Sequence, residues 1–171
     1  RRQPRDSVQL IMHRRAQTGA GLIESLISIF VVSIGFLGFA GLQISGLVAA
    51  NDSLFRSKAV YLSYEMADRV RANLPGVQAG SYADFEAPVS SPGCIASNCT
   101  AAQVAQNDFY EWSTAVASVL PSGAGVICLD STPDDGVPAA AACDGAGSVL
   151  SIKLWWSEKG TQHRFVTTLR P

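Results

Sequence analysis

Hydrophobic and polar positions fall into three regimes along the chain. From Ser25 to Leu42 the sequence SLISIFVVSIGFLGFAGL carries no charge and no proline. Eighteen residues at the helical rise span about 27 Å, close to the thickness of a bilayer's hydrocarbon core. With Ala20 to Leu22 before it and Gln43 to Leu47 after it, the stretch is long enough to cross a membrane. From Asn51 to Leu74 the pattern changes. Phe55, Ala59, Leu62, Met66 and Val70 recur at spacings of four, three, four and four, an amphipathic stripe. Asp52 with Arg56, and Glu65 with Arg69, stand at i,i+4 on its wet side. Pro75-Gly76 is predicted to end the helix. The pattern predicts one helix from about residue 20 to 74, apolar all round in its first half and amphipathic in its second.

The third regime is polar and punctuated. Gly, Ser and Pro dominate residues 76–99, which read as a loop. Thr100 to Leu120 reads as a second helix, opened by a capping box at Thr100 and Gln103 and stopped by Pro121. Val104, Phe109, Trp112, Val116 and Leu120 lie near one face of it. Trp112 therefore reads as core rather than as a ligand platform. A strand is expected over Gly125 to Asp130, then a loop from Ser131 to Gly147. Ser148 to Ser157 alternates, with Leu150, Ile152, Leu154 and Trp156 on one face and Val149, Ser151, Lys153 and Trp155 on the other. Glu158-Lys159-Gly160-Thr161 reads as a hairpin turn, and Gln162 to Leu169 pairs back. Three antiparallel strands covering the long helix predict an α+β head.

Charge separates the ends of the chain. Before Ala20 stand five basic residues (Arg1, Arg2, Arg5, Arg14, Arg15) and one acid, Asp6; from Ala20 onward the charge is −5. A basic flank before a long apolar run is held on the cytoplasmic side. The acidic remainder excludes non-specific nucleic-acid binding, which relies on clustered Lys and Arg. No catalytic constellation is present: there is no P-loop, Gly-x-Ser-x-Gly or His-Glu-x-x-His, and the two histidines, His13 and His163, lie far apart. His163 reads as a surface strand residue. No enzyme activity and no cofactor are expected. The cysteines are Cys94, Cys99, Cys128 and Cys143, an even count on the exported side, which predicts two disulfides. Their spacing is unlike the usual zinc patterns, and no metal site is expected.

Two alternatives stand for this run: a cleaved secretory signal, which calls for a shorter apolar region and a better small-x-small site than Ala40-Gly41-Leu42 or Gly46-Leu47-Val48, and a plain anchor, from which Glu24 sets it apart. A carboxylate at that depth is costly unless paired. Its surroundings are Gly19-Ala20-Gly21-Leu22-Ile23-Glu24-Ser25-Leu26. This resembles the type IV prepilin signature, in which Gly precedes the cleavage point and Glu is fifth in the mature chain. In that register Gly19 ends the leader, Ala20 becomes the new N-terminus, and Leu22, Ile23 and Glu24 match the family's Leu-Ile-Glu. Ala20 and Gly21 depart from the Phe and Thr or Ser usual in the family. Gly19 has no side chain to keep a peptidase from the backbone. The amine freed on Ala20 needs a counter-charge in an apolar filament core, and Glu24 of a neighbouring subunit supplies one. Such a buried pair serves registry better than stability. Gly35, Gly38 and Gly41 share roughly one face, suited to close helix packing in lipid; in the resembling family this helix also melts partly on assembly. Met12 begins MHRRAQTG, an eight-residue basic leader, so residues 1–11 read as an upstream extension, and a longer leader also fits.

The segments Ala67-Asp68-Arg69-Val70-Arg71-Ala72-Asn73 and Leu120-Pro121-Ser122-Gly123-Ala124-Gly125-Val126-Ile127-Cys128, with the terminal hairpin, resemble minor pilins of the PilV type. The resemblance implies a leader over 1–19, a membrane and filament-core helix over 20–47, and a periplasmic head over 48–171. It implies cleavage by prepilin peptidase between Gly19 and Ala20, methylation of Ala20, and a registry role for Glu24. Its expected partners are other minor pilins, the major pilin and a tip adhesin. Its expected location is the inner membrane and then the pilus tip, where such subunits prime assembly. A minor pseudopilin of a type II secretion system and a non-polymerising bitopic binding domain remain the alternatives. Three cysteine pairings are open. Cys94–Cys99 and Cys128–Cys143 are expected, because the first closes a short loop at little entropic cost and the second pins the 131–147 loop to the sheet. Closing that sixteen-residue loop is worth about 3 kcal/mol in the chain-entropy model. The family carries its variable, partner-facing region there, so losing this bond is expected to loosen partner binding more than membrane insertion.

Overall fold

The computed structural model describes residues 20–96 and 98–170. The expected leader, including Gly19, lies outside the described residues. The elements are α1 (Ala20–Ala72), α2 (Leu74–Gln78), β1 (Asp84–Phe85), α3 (Ala101–Val119), β2 (Ala124–Leu129), β3 (Leu150–Glu158) and β4 (Thr161–Leu169). The chain divides into two compact units, one up to Leu47 and one from Val48.

The first unit is the N-terminal part of α1. Every described side chain from Gly21 to Leu47 is exposed. By length and composition this is a helix able to cross a membrane, and it is the candidate span among the described residues.

The second unit is α+β. Its four strands form one antiparallel sheet in the order β1-β2-β3-β4. The stripe of α1 packs as its spacing predicts: Ala59, Leu62, Met66 and Val70 are buried, and Phe55 packs at the edge of the same core. From α3 come Ala105, Phe109, Trp112 and Val116, and from β3 come Leu150, Ile152, Leu154 and Trp156. Ala105 takes the buried place expected of Val104, which is half-buried. Trp112 is core, and its Nε1 donates to the Leu62 carbonyl at 2.8 Å, so its one polar atom is satisfied inside. β2 comes so close that a Cβ on Gly125 would meet the Trp112 ring at 2.5 Å. This is why glycine stands there.

Local chemistry sets the element ends. The capping box forms in full: Thr100 Oγ1 accepts from the Gln103 amide at 3.3 Å, and Gln103 Oε1 accepts from the Thr100 amide at 2.9 Å. Lys159 and Gly160 both have positive φ, 50° and 81°, as a two-residue type I′ hairpin turn requires.

Residues 76–99 depart from the loop expectation. Pro75-Gly76 does not merely stop a helix; it starts α2. Asn73 breaks α1 and caps the new turn, its Oδ1 accepting from the Gly76 amide at 3.2 Å. Proline suits a first helical turn, where its missing N–H is not needed. Further on, Tyr82 is buried and Phe85 stacks on Phe109 at 4.8 Å. These two aromatics draw Asp84–Phe85 against Cys128 and Ile127 as β1, the fourth strand. A second departure concerns α1: Arg69 pairs with Glu65, but no ion pair joins Asp52 to Arg56. Arg71 with Asp68 forms the exposed pair instead.

Candidate functional site

Three regions carry the residues singled out above. The first is the apolar part of α1. Glu24 lies on it among exposed Leu22, Ile23, Leu26 and Ile27. A Cβ added to Gly35, Gly38 or Gly41 would meet nothing within 4 Å. The small-residue face is therefore open in the single chain. The serines in this stretch turn their hydroxyls back on the helix. Ser25 donates to the Gly21 carbonyl at 2.8 Å, Ser28 to Glu24 at 2.8 Å, Ser33 to Ile29 at 2.7 Å and Ser45 to Gly41 at 3.1 Å.

The second region is a polar junction between α1 and α3. Arg69 bonds Glu65 at 3.0 Å, Glu111 at 2.8 Å and Asp108 at 3.5 Å. Burial alone would lower the Arg69 pKa, but Glu111 and Glu65 outweigh it and raise it. In return Arg69 lowers the pKa of the Glu111 carboxyl. The Tyr82 hydroxyl donates to Asp108 at 2.6 Å, and burial with this bond pushes its pKa up. This network ties α3 to the stripe helix.

The third region is the outer face of the sheet. The structure joins Cys128 to Cys143 on this face and, away from it beside the start of α3, Cys94 to Cys99, with Cα separations of 6.1 and 5.4 Å. The Cys128–Cys143 bond ties the 131–147 segment to β2. Ala141 of that segment joins Val126, Cys128 and Trp155 of the sheet in a small second core. Both faces of β3 are consequently buried, a result that alternation alone did not give. Lys153 lies at the centre with 0% of its side chain exposed. Its ammonium meets Asp130 at 2.5 Å, Asp135 at 2.9 Å and the Ala141 carbonyl at 2.8 Å. Burial works against that charge, but the bonds from Asp130 and Asp135 outweigh it and hold the pKa above its ordinary value. The bond from Lys153 in turn lowers the Asp135 pKa. Arg164 on β4 meets Asp134 at 2.7 Å. Cys128, Asp130 and Cys143 bring ligand-type atoms within 4.8 Å of one another, but both sulfurs are used in the disulfide and Asp130 is paired with Lys153.

His163 is half-buried rather than a plain surface residue, stacked on Trp156 with ring centroids 5.4 Å apart. It lines a shallow cleft with Asp52, Arg56 and Glu158. The sequence reading did not anticipate Lys153 and Asp130. The available signal was a lysine at the middle of a strand that is otherwise strongly apolar, since an unpaired ammonium is seldom left there.

Residues 41–110 match a family model described as Tt1218-like, Type IV pilin Tt1218. The matched segment runs from the apolar part of α1 into α3. It supports a pilin role for the chain, and pilins are structural rather than catalytic proteins. No curated protein and no solved structure matches the chain.

Proposed function

We propose that this protein is a minor pilin of the PilV type. In this reading prepilin peptidase cuts the chain after Gly19, Ala20 is methylated, and α1 first anchors the subunit in the inner membrane. The helix then enters a filament core, where Glu24 pairs with the freed amine of a neighbouring subunit. The head contributes a specific surface to a complex of minor pilins that primes assembly with the major pilin and supports a tip adhesin.

The observation that supports this most is the uncovered apolar helix. A described run from Gly21 to Leu47 with every side chain exposed must be covered by lipid or by other helices. A plain anchor would account for the length, but it gives no use for Glu24. The match of residues 41–110 to a pilin model agrees with the same reading. Mass spectrometry of the membrane-extracted protein tests it. The expected N-terminal residue is Ala20, carrying a methyl group. A mature N-terminus beyond residue 40 would indicate an ordinary secretory signal and end the pilin proposal.

A further inference from the structure

The 131–147 segment crosses the outer face of the sheet and contributes little apolar area to it. Ala141 is its one buried residue. Hydrophobic burial is therefore too small to explain why the segment lies flat. Polar contacts hold it at two places. At its base, Asp144 accepts from the Ser131 amide and hydroxyl and, at 2.8 Å, from the Ala146 amide, while the Gly145 amide donates to the Leu129 carbonyl at 3.1 Å. At its middle, three consecutive carbonyls turn toward the sheet's cations. Those of Asp134 and Gly136 accept from Arg164 at 2.9 and 3.2 Å, and that of Asp135 faces Lys153 at 3.4 Å. The Asp134 and Asp135 carboxylates join the same two cations, and the Ala141 carbonyl closes on Lys153.

We propose that this segment is a strap latched to the sheet by Lys153 and Arg164, and that the latch, not the Cys128–Cys143 disulfide, keeps it closed in the folded head. The disulfide reaches the strap at Cys143, beside a base that Asp144 already fixes. Its tie is separate from those of the cations, which grip residues 134–136 and 141; only Ala141 shares an apolar cluster with Cys128. Reduction therefore removes a covalent tie from the base and leaves the middle seated. Opening, by contrast, uncovers Trp155 together with two buried polar atoms that lack a hydrogen-bond partner, Trp155 Nε1 and Ser151 Oγ. The strap is thus a shape-keeping device that tolerates loss of its disulfide, with a hidden, partly polar face beneath it.

Hydrogen exchange on the full chain in detergent micelles tests this. The Val137 and Ala140 amides bond each other's carbonyls at 2.9 Å inside the strap and report its closure. Replacing both cysteines (Cys128→Ser with Cys143→Ser) is expected to leave their exchange within about twofold of the parent, whereas Lys153→Met with Asp130→Leu, which leaves no buried charge behind, is expected to speed it at least about tenfold. Arg164→Gln, at the sheet edge where folding is not at risk, is expected to speed Val137 as well. Opening of the strap by the cysteine replacement alone would overturn the proposal. So would unchanged exchange in a folded latch variant or in Arg164→Gln.

Discussion

Lys153 shows how one residue can invert its usual role. Lysine is seldom fully buried, because a lone ammonium in a low-dielectric interior is costly. Here Asp130, Asp135 and a carbonyl satisfy it. Breaking such a buried pair by removing one partner costs about 3–5 kcal/mol, whereas replacing both with apolar groups is often neutral. The pKa directions give a pH test. Asp135 lies below its ordinary 3.8, so its contribution is present above that value and is lost as pH falls through the lowered pKa. Lys153 lies above its ordinary 10.5, so its contribution is full below that value and is lost as pH rises through the raised pKa. Protection of the Val137 amide, corrected for intrinsic exchange, is expected to stay flat between these limits and fall beyond each. A decline centred on neutral pH would contradict this assignment. Alternation correctly put Lys153 on the face opposite Ile152 and Leu154. It could not say that the face is covered, because the cover is a loop held by side chains and carbonyls distant in sequence.

Elements with strong periodicity were legible from the sequence, and short ones were not. The stripe Ala59, Leu62, Met66 and Val70 and the Thr100 capping box are signals within one helix, so local spacing suffices. Strand β1 has two residues and no period; it exists because Tyr82 and Phe85 find places beside α3. Helix α2 depends on Asn73, whose Nδ2 also donates to the Tyr82 hydroxyl at 3.0 Å and the Ala101 carbonyl at 2.8 Å. Such contacts between distant segments leave little trace in composition. The capping box supplies the test at this scale. Thr100→Ala removes an acceptor for the first turn of α3 and is expected to cost roughly 1 kcal/mol. Denaturant unfolding of the head should show a lower midpoint with an unchanged slope. An unaltered midpoint would mean that Gln103 and solvent satisfy that turn without the threonine.

At the scale of the whole molecule, the sequence separated a membrane-type helix from a packed head, and the structure shows an α+β head with an uncovered apolar helix. Within the proposed minor pilin role, Glu24→Ala is expected to insert into the membrane normally but to be recovered poorly with other pilins. Co-purification of variant and parent from sheared filaments and from membranes would measure this, and equal incorporation would show the carboxylate to be dispensable. The expected leader lies outside the described residues, and the proposed cut after Gly19 follows from the Gly19–Glu24 motif.

The serines of the apolar helix have one more consequence. Each hydroxyl is already spent on the carbonyl one turn back, so Ser25, Ser28, Ser33 and Ser45 demand nothing of their surroundings. A polar side chain that needed an outside partner would favour whichever medium supplied it, water or another chain. This helix has no such preference at these positions. To its serines, a lipid tail and a neighbouring leucine are nearly equivalent solvents. A subunit built this way can exchange one apolar medium for another, in either direction, without breaking a hydrogen bond at any of the four.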